Sequence, residues 1–156
     1  MHLTNYASRI GAICYILWGV FHVFIGTLLF YKLSGEGSFG VMSATGSAVP
    51  PDQIPHINSA ILNGILAQYA WNILWPGLFA IAVAFMNWKN SLIGYWYNLI
   101  VVTLVDTGFV CAILLPGYIT LKDGLPGPVF WLLAVIFSTL GIRQKTTTGK
   151  VTATHS

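Results

Sequence analysis

IGYWYNLIVVTLVDTGFVCAILL, residues 93–115, decides the architecture. Asp106 is the one charged side chain in this run, and no other charge occurs between Lys89 and Lys122. About 20 mainly apolar residues, rising about 1.5 Å each, carry an α-helix across a hydrocarbon layer about 30 Å thick. The run therefore predicts a transmembrane helix with a carboxylate in its interior. Such a group costs about 2.5–3.5 kcal/mol at a helix centre on insertion scales, so it calls for a partner or a task.

Working outward, three further apolar runs give four expected spans, at about 10–31, 57–86, 93–115 and 125–142. The composition agrees: of 156 residues, 56% are hydrophobic and 7% charged. Soluble domains carry roughly 25% charged residues, and a short chain exposes much of its surface, so lipid has to solvate most of this one. The second span is over-long and contains Pro76, which predicts a kink. The fourth is the shortest, with Pro126 and Pro128 at its start, where proline is tolerated.

The expected fold is an all-α integral membrane four-helix bundle, one domain over residues 1–142. A Gly/Ser/Pro-rich outer loop is expected over 34–55, and a disordered basic tail over 143–156, on composition. With four spans, Arg9, Lys89, Arg143, Lys145 and Lys150 share one side, against Lys32 and Lys122 on the other. The positive-inside rule then puts both termini in the cytoplasm. The expected location is the plasma (inner) membrane. The charge of +3 gathers at the C-terminus and reads as topology, with no nucleic-acid partner.

Counting depth by helix rise brings three polar side chains together. His22 lies twelve residues past the inner start of the first span, and Asp106 thirteen past that of the third. Both stand about 18–20 Å above the inner boundary. Asn72, on the descending second span, falls in the same layer, with Gln68 one turn further out. Polar groups at such depth face the bundle interior, so Gly64, Gln68 and Asn72 define one inward stripe, and Tyr95, Leu99, Val102 and Asp106 another. Ala12, Gly19 and Gly26, and the pair Ala60 and Gly64, are expected to let helices approach closely.

The candidate catalytic residues are Asp106, as acid or anchor, and His22, as its proton partner. The candidate ligand-binding residues are Asn72 and Gln68 to orient, Trp18 and Trp71 as walls, and Asn63 and His56 at the mouth. Each has a structural alternative. The amides can serve interhelical hydrogen bonding, and the tryptophans can fill the bundle or meet lipid. His22 can be a satisfied core histidine, and His56 a helix-end residue. His22 and His56 lie at different heights and cannot clamp one haem iron, and no ligand spacing suggests a metal, so no cofactor is expected. Cys14 and Cys111 stand about 20 Å apart in height, too far for a disulfide. His2 and His155 lie near the termini and carry no signal.

Aromatic walls around one carboxylic acid suit a small lipophilic ligand. The leading expectation is a membrane-embedded pocket for such a molecule, with proton-dependent chemistry of the isomerase, cyclase or hydratase type if the protein is an enzyme. The glycine-rich outer loop would be its flexible cover. Two alternatives carry different partners: an accessory subunit of a larger membrane complex, and a small proton-coupled transporter working as a homodimer.

Overall fold

The computed structural model describes residues 2–46, 48–57 and 59–153, without the side chains of residues 2–5 and 145–153. His155, and the side chains of His2, Lys145 and Lys150, lie outside the described residues, as do residues 154–156 of the expected tail. The described residues form no strand. Five helices follow one another: α1 (His2–Thr45), α2 (Ala60–Trp88), α3 (Leu92–Phe109), a single turn α4 (Leu121–Gly124) and α5 (Pro126–Ala153). Four segments are long and apolar enough to cross a membrane: Tyr6–Thr45, Ala60–Trp88, Leu92–Leu114 and Leu121–Gln144. The fourth, with a mean hydropathy of 1.9, reaches the same apolarity as the third.

α1 packs mainly on α2 and α5, and α3 packs on the same two. Helices α1 and α3 therefore face each other across the bundle diagonal. At one end, Gly141 of α5 meets Ser8 of α1, and Asn90 in the α2–α3 turn donates to the Gly141 carbonyl at 3.2 Å. The two terminal helix ends and that turn thus share an end, as four spans require. The turn is cut by sequence: Asn90 takes a left-handed φ of 54°, and Ser91 caps α3 by accepting from Gly94 N.

Helices α1 and α2 approach closely at a pair of glycines. A Cβ built on Gly19 would sit 2.6 Å from the Gly77 carbonyl oxygen, and one on Gly77 would sit 2.6 Å from that of Gly19. Close packing was expected at Gly19 and Gly26 from their spacing. Gly26 meets Leu74, but Gly64 has open space around it and plays no such part. α2 runs as one helix through Pro76. Proline has no N–H to give the carbonyl four residues earlier, so the Asn72 carbonyl loses that donor.

The region 34–55 is not a long loop. α1 continues to Thr45, broken at Gly37, where φ is 63° and ψ is −151°. Only glycine holds that conformation readily. Past the break the helix resumes, and Val41 is buried with Leu29 and Ala70. Tertiary burial thus makes a helix of a stretch whose composition reads as loop. At the same end Ala48 N donates to the Tyr118 carbonyl at 3.3 Å, tying the α1–α2 connection to the α3–α5 connection.

Outward-facing positions are apolar: Ile61, Phe24 and Leu104 are each more than 60% exposed. Tyr6, Trp88, Trp96 and Tyr97 also face outward, near the shared end, with the Arg9 guanidinium 5.4 Å from the Trp88 ring centroid.

Candidate functional site

The depth count brings Asp106 to a place where α1, α3 and α5 converge. Asp106 is buried, at 1% exposure, and Trp18 Nε1 donates to its Oδ2 at 2.6 Å. This bond crosses the diagonal from α1 to α3. A buried indole N–H needs an acceptor, and a buried carboxylate needs donors, so each meets the other's requirement. Below, α3 is anchored by Asn98, fully buried, whose Nδ2 donates to the Ala80 carbonyl of α2 at 3.3 Å. Above, the Val110 N–H is shared between the Asp106 and Thr107 carbonyls, where α3 widens into a π-helical turn at Val110–Leu114.

His22 stacks on Trp18, with ring centroids 3.6 Å apart and an interplanar angle of 25°. Its Nδ1 lies 2.9 Å from the Trp18 carbonyl oxygen. A carbonyl only accepts, so Nδ1 carries the proton and Nε2 of the neutral ring presents a lone pair. Among the described residues no hydrogen bond joins His22 to Asp106, as a direct proton partnership would need. Trp18 stands between them, stacked on one and donating to the other.

The two polar side chains nevertheless meet at Gly127, in the first turn of α5. A Cβ on Gly127 would lie 3.5 Å from Asp106 Oδ1 and 3.5 Å from His22 Cε1. The sum of those two distances is the upper limit on the separation of these atoms. Glycine at 127 keeps open the space in front of both groups. Pro126 and Pro128 flank it, so the backbone there offers the Gly127 N–H and neither neighbour's.

This space belongs to a cavity of about 760 Å³ that reaches towards the α1–α2 and α3–α5 connections. His22, Asp106, Asn72 and Gly127 line it, among apolar and aromatic walls that include Phe21, Tyr69, Ile73 and Phe109. Ala44 and Thr45 also line it, so the segment beyond Gly37 forms part of the wall as a helix. Lys122 and Asp123, both exposed, also line it, in α4.

The remaining candidates are placed differently. Gln68 is exposed, does not line the cavity, and donates from Nε2 to Asn72 Oδ1 at 3.1 Å, so it orients Asn72. Trp18 is fully buried behind the wall as the donor to Asp106. Trp71 is 49% exposed and turns away from the cavity. His56 and Asn63 border a separate cavity of about 180 Å³ beside Gly37, where His56 stacks on Phe39. Asn98 is the polar residue that the depth count missed. It lies eight residues before Asp106 on the same buried face of α3, which was the available signal.

Cys14 is buried, Cys111 is exposed, and both are free. Among the described residues, no three His, Cys, Asp or Glu side chains cluster as a metal would require. Comparison with protein-family models, with curated proteins and with solved structures returns no match.

Proposed function

We propose that the cavity over Gly127 is a membrane-embedded binding site for a small lipophilic molecule, with Asp106 as its polar anchor. The observation that carries this reading is the approach of a buried carboxylate and a histidine ring edge at one end of a large apolar cavity. Ligand sites of about 300–1,000 Å³ are mostly apolar with a few converging polar groups. A charge placed within a membrane-spanning helix is costly and is a functional-site hypothesis by default.

In this reading both termini face the cytoplasm, and the cavity opens towards the outer leaflet. Trp18 holds the carboxylate in place. Asn72, positioned by Gln68, gives a second polar contact further along the ligand. Asp106 and His22 flank the same point without bonding to each other, which leaves both free to meet a bound molecule.

The test is gentle extraction followed by native mass spectrometry of the wild-type protein and of Asp106→Asn, with thermal unfolding run alongside. The wild type should carry a lipophilic mass that Asp106→Asn loses while still unfolding cooperatively. Equal retention by both proteins, or no bound mass after reconstitution with lipid extract, would overturn the proposal.

A further inference from the structure

We infer that the cavity selects a lipophilic ammonium: an apolar body whose protonated amine enters first and pairs with Asp106. The inference deepens the reading of the cavity as a ligand site and rests on it.

The argument is one of matching groups. At the deep end Asp106 Oδ2 is taken by Trp18, while Oδ1 is turned towards Gly127. His22 Nδ1 is taken by the Trp18 carbonyl, and Nε2 is left as an acceptor. What remains for a guest is Asp106 Oδ1 and His22 Nε2, two acceptors on side chains that line the same end of the cavity. A guest head group that only accepts would leave both unmatched. One that donates matches both, because an ammonium has several N–H groups to share.

Charge separates an amine from an alcohol. Asp106 lies beside the first turn of α5, where the N-terminal end of the helix dipole, though lacking the two proline N–H groups, favours an ionised carboxylate. Among the described residues Asp106 takes part in no ion pair. The one cation lining the cavity is Lys122, and it stands exposed in α4 beside Asp123. A neutral alcohol would satisfy the acceptors but leave this charge uncompensated. A carboxylate or phosphate guest would set a second anion against it. An ammonium neutralises it, and buried charges are retained where they are paired. The rings of Phe21, Tyr69 and Phe109 in the walls add π faces that attract a cation.

The test uses three probes with one tail: dodecylamine, which is protonated at neutral pH, dodecanol and dodecanoate. Each is titrated into the full-length protein in nanodiscs of zwitterionic lipid, and occupancy is read by native mass spectrometry. Wild type and Asp106→Asn are run in parallel, so that partitioning into the lipid cancels. The amine should bind the wild type at least about tenfold tighter than the alcohol, the worth of one charge-assisted hydrogen bond, and the carboxylate weakest. In Asp106→Asn the preference should vanish.

If dodecanol or dodecanoate matches the amine in the wild type, or the amine preference survives in Asp106→Asn, the inference is wrong. If none of the three occupies the wild-type protein, the cavity reading itself fails and takes the inference with it. Should Asp106→Asn not fold, Gly127→Ala keeps the charge but fills the space before it. Amine binding unchanged in that variant would equally overturn the assignment.

Discussion

The bond from Trp18 to Asp106 is the one polar link described across the α1–α3 diagonal, and its removal makes the sharpest prediction. Trp18→Phe keeps an aromatic ring to stack on His22 but deletes the Nε1–H that donates to Oδ2 at 2.6 Å. Two losses follow. The carboxylate loses its donor in a site with 1% exposure, which costs about 1–3 kcal/mol. The smaller ring also leaves a void where a fully buried indole stood, and such core truncations add about 1–2 kcal/mol. The void term is shared by any background, so a double-mutant cycle with Asp106→Ala isolates the bond. Cycles on interhelical hydrogen bonds in membranes average about 0.6 kcal/mol and reach about 1.7. With a carboxylate as acceptor and a length this short, the Trp18–Asp106 coupling should fall near the top, at about 1.5 kcal/mol. The assay is reversible unfolding of the four proteins in mixed micelles. Strict additivity, within about 0.3 kcal/mol, would refute the claim that this bond ties the diagonal together.

Gly127→Ala puts a methyl group at ordinary contact distance from Asp106 Oδ1 and His22 Cε1. Stability should stay within about 0.5 kcal/mol while ligand affinity drops about tenfold or more; a change in stability with affinity kept would contradict this. Gly77→Ala drives a Cβ to 2.6 Å from the Gly19 carbonyl oxygen, so it should cost about 1–3 kcal/mol in unfolding, whereas Gly64→Ala, in open space, should be neutral or gain up to about 1 kcal/mol. Equal effects of the two would refute the close α1–α2 approach. Gly37→Ala meets no atom within 4 Å, so any loss is backbone strain, expected at about 1–3 kcal/mol; an unchanged unfolding midpoint would argue against the break at that residue. Asn98→Leu removes an amide whose Oδ1 is buried without a partner and whose one donor bond is long, so unfolding should show no loss above about 1 kcal/mol; a larger loss would mean that the amide bond to α2 carries the contact.

Hydropathy alone made the four long helices legible, because apolar runs of that length leave few other options. Helix rise made the polar layer legible as well: His22, Asn72 and Asp106 line one cavity, although they lie far apart in sequence. Faces were harder to read. Trp71 and Trp18 lie on the same two helices that supply Asn72 and His22, yet one faces out and the other is buried. A residue next to an inward position is a third of a turn away, and the sequence does not show how helices rotate about their axes. The role of Trp18 was readable in principle, since a buried indole must find an acceptor and Asp106 stood about one turn above it. The helix beyond Gly37 was not, because Gly35, Gly40 and Gly46 weaken it locally and burial of Val41 against Leu29 and Ala70 compensates. His56 and Asn63 sat on the expected outer end of α2, but the break at Gly37 gives them a small cavity of their own.

The central claim is that a lipophilic molecule occupies the cavity above Gly127 with its polar end at Asp106. An alkyl amine bearing a diazirine on its tail tests this directly, by photolabelling the protein in nanodiscs and sequencing the modified peptides. The account predicts labels on cavity-lining residues such as Ile73 and Phe109, suppressed by unlabelled dodecylamine and absent in Asp106→Asn. Labels confined to lipid-facing positions such as Ile61 and Phe24, indifferent to competitor and to the substitution, would contradict it.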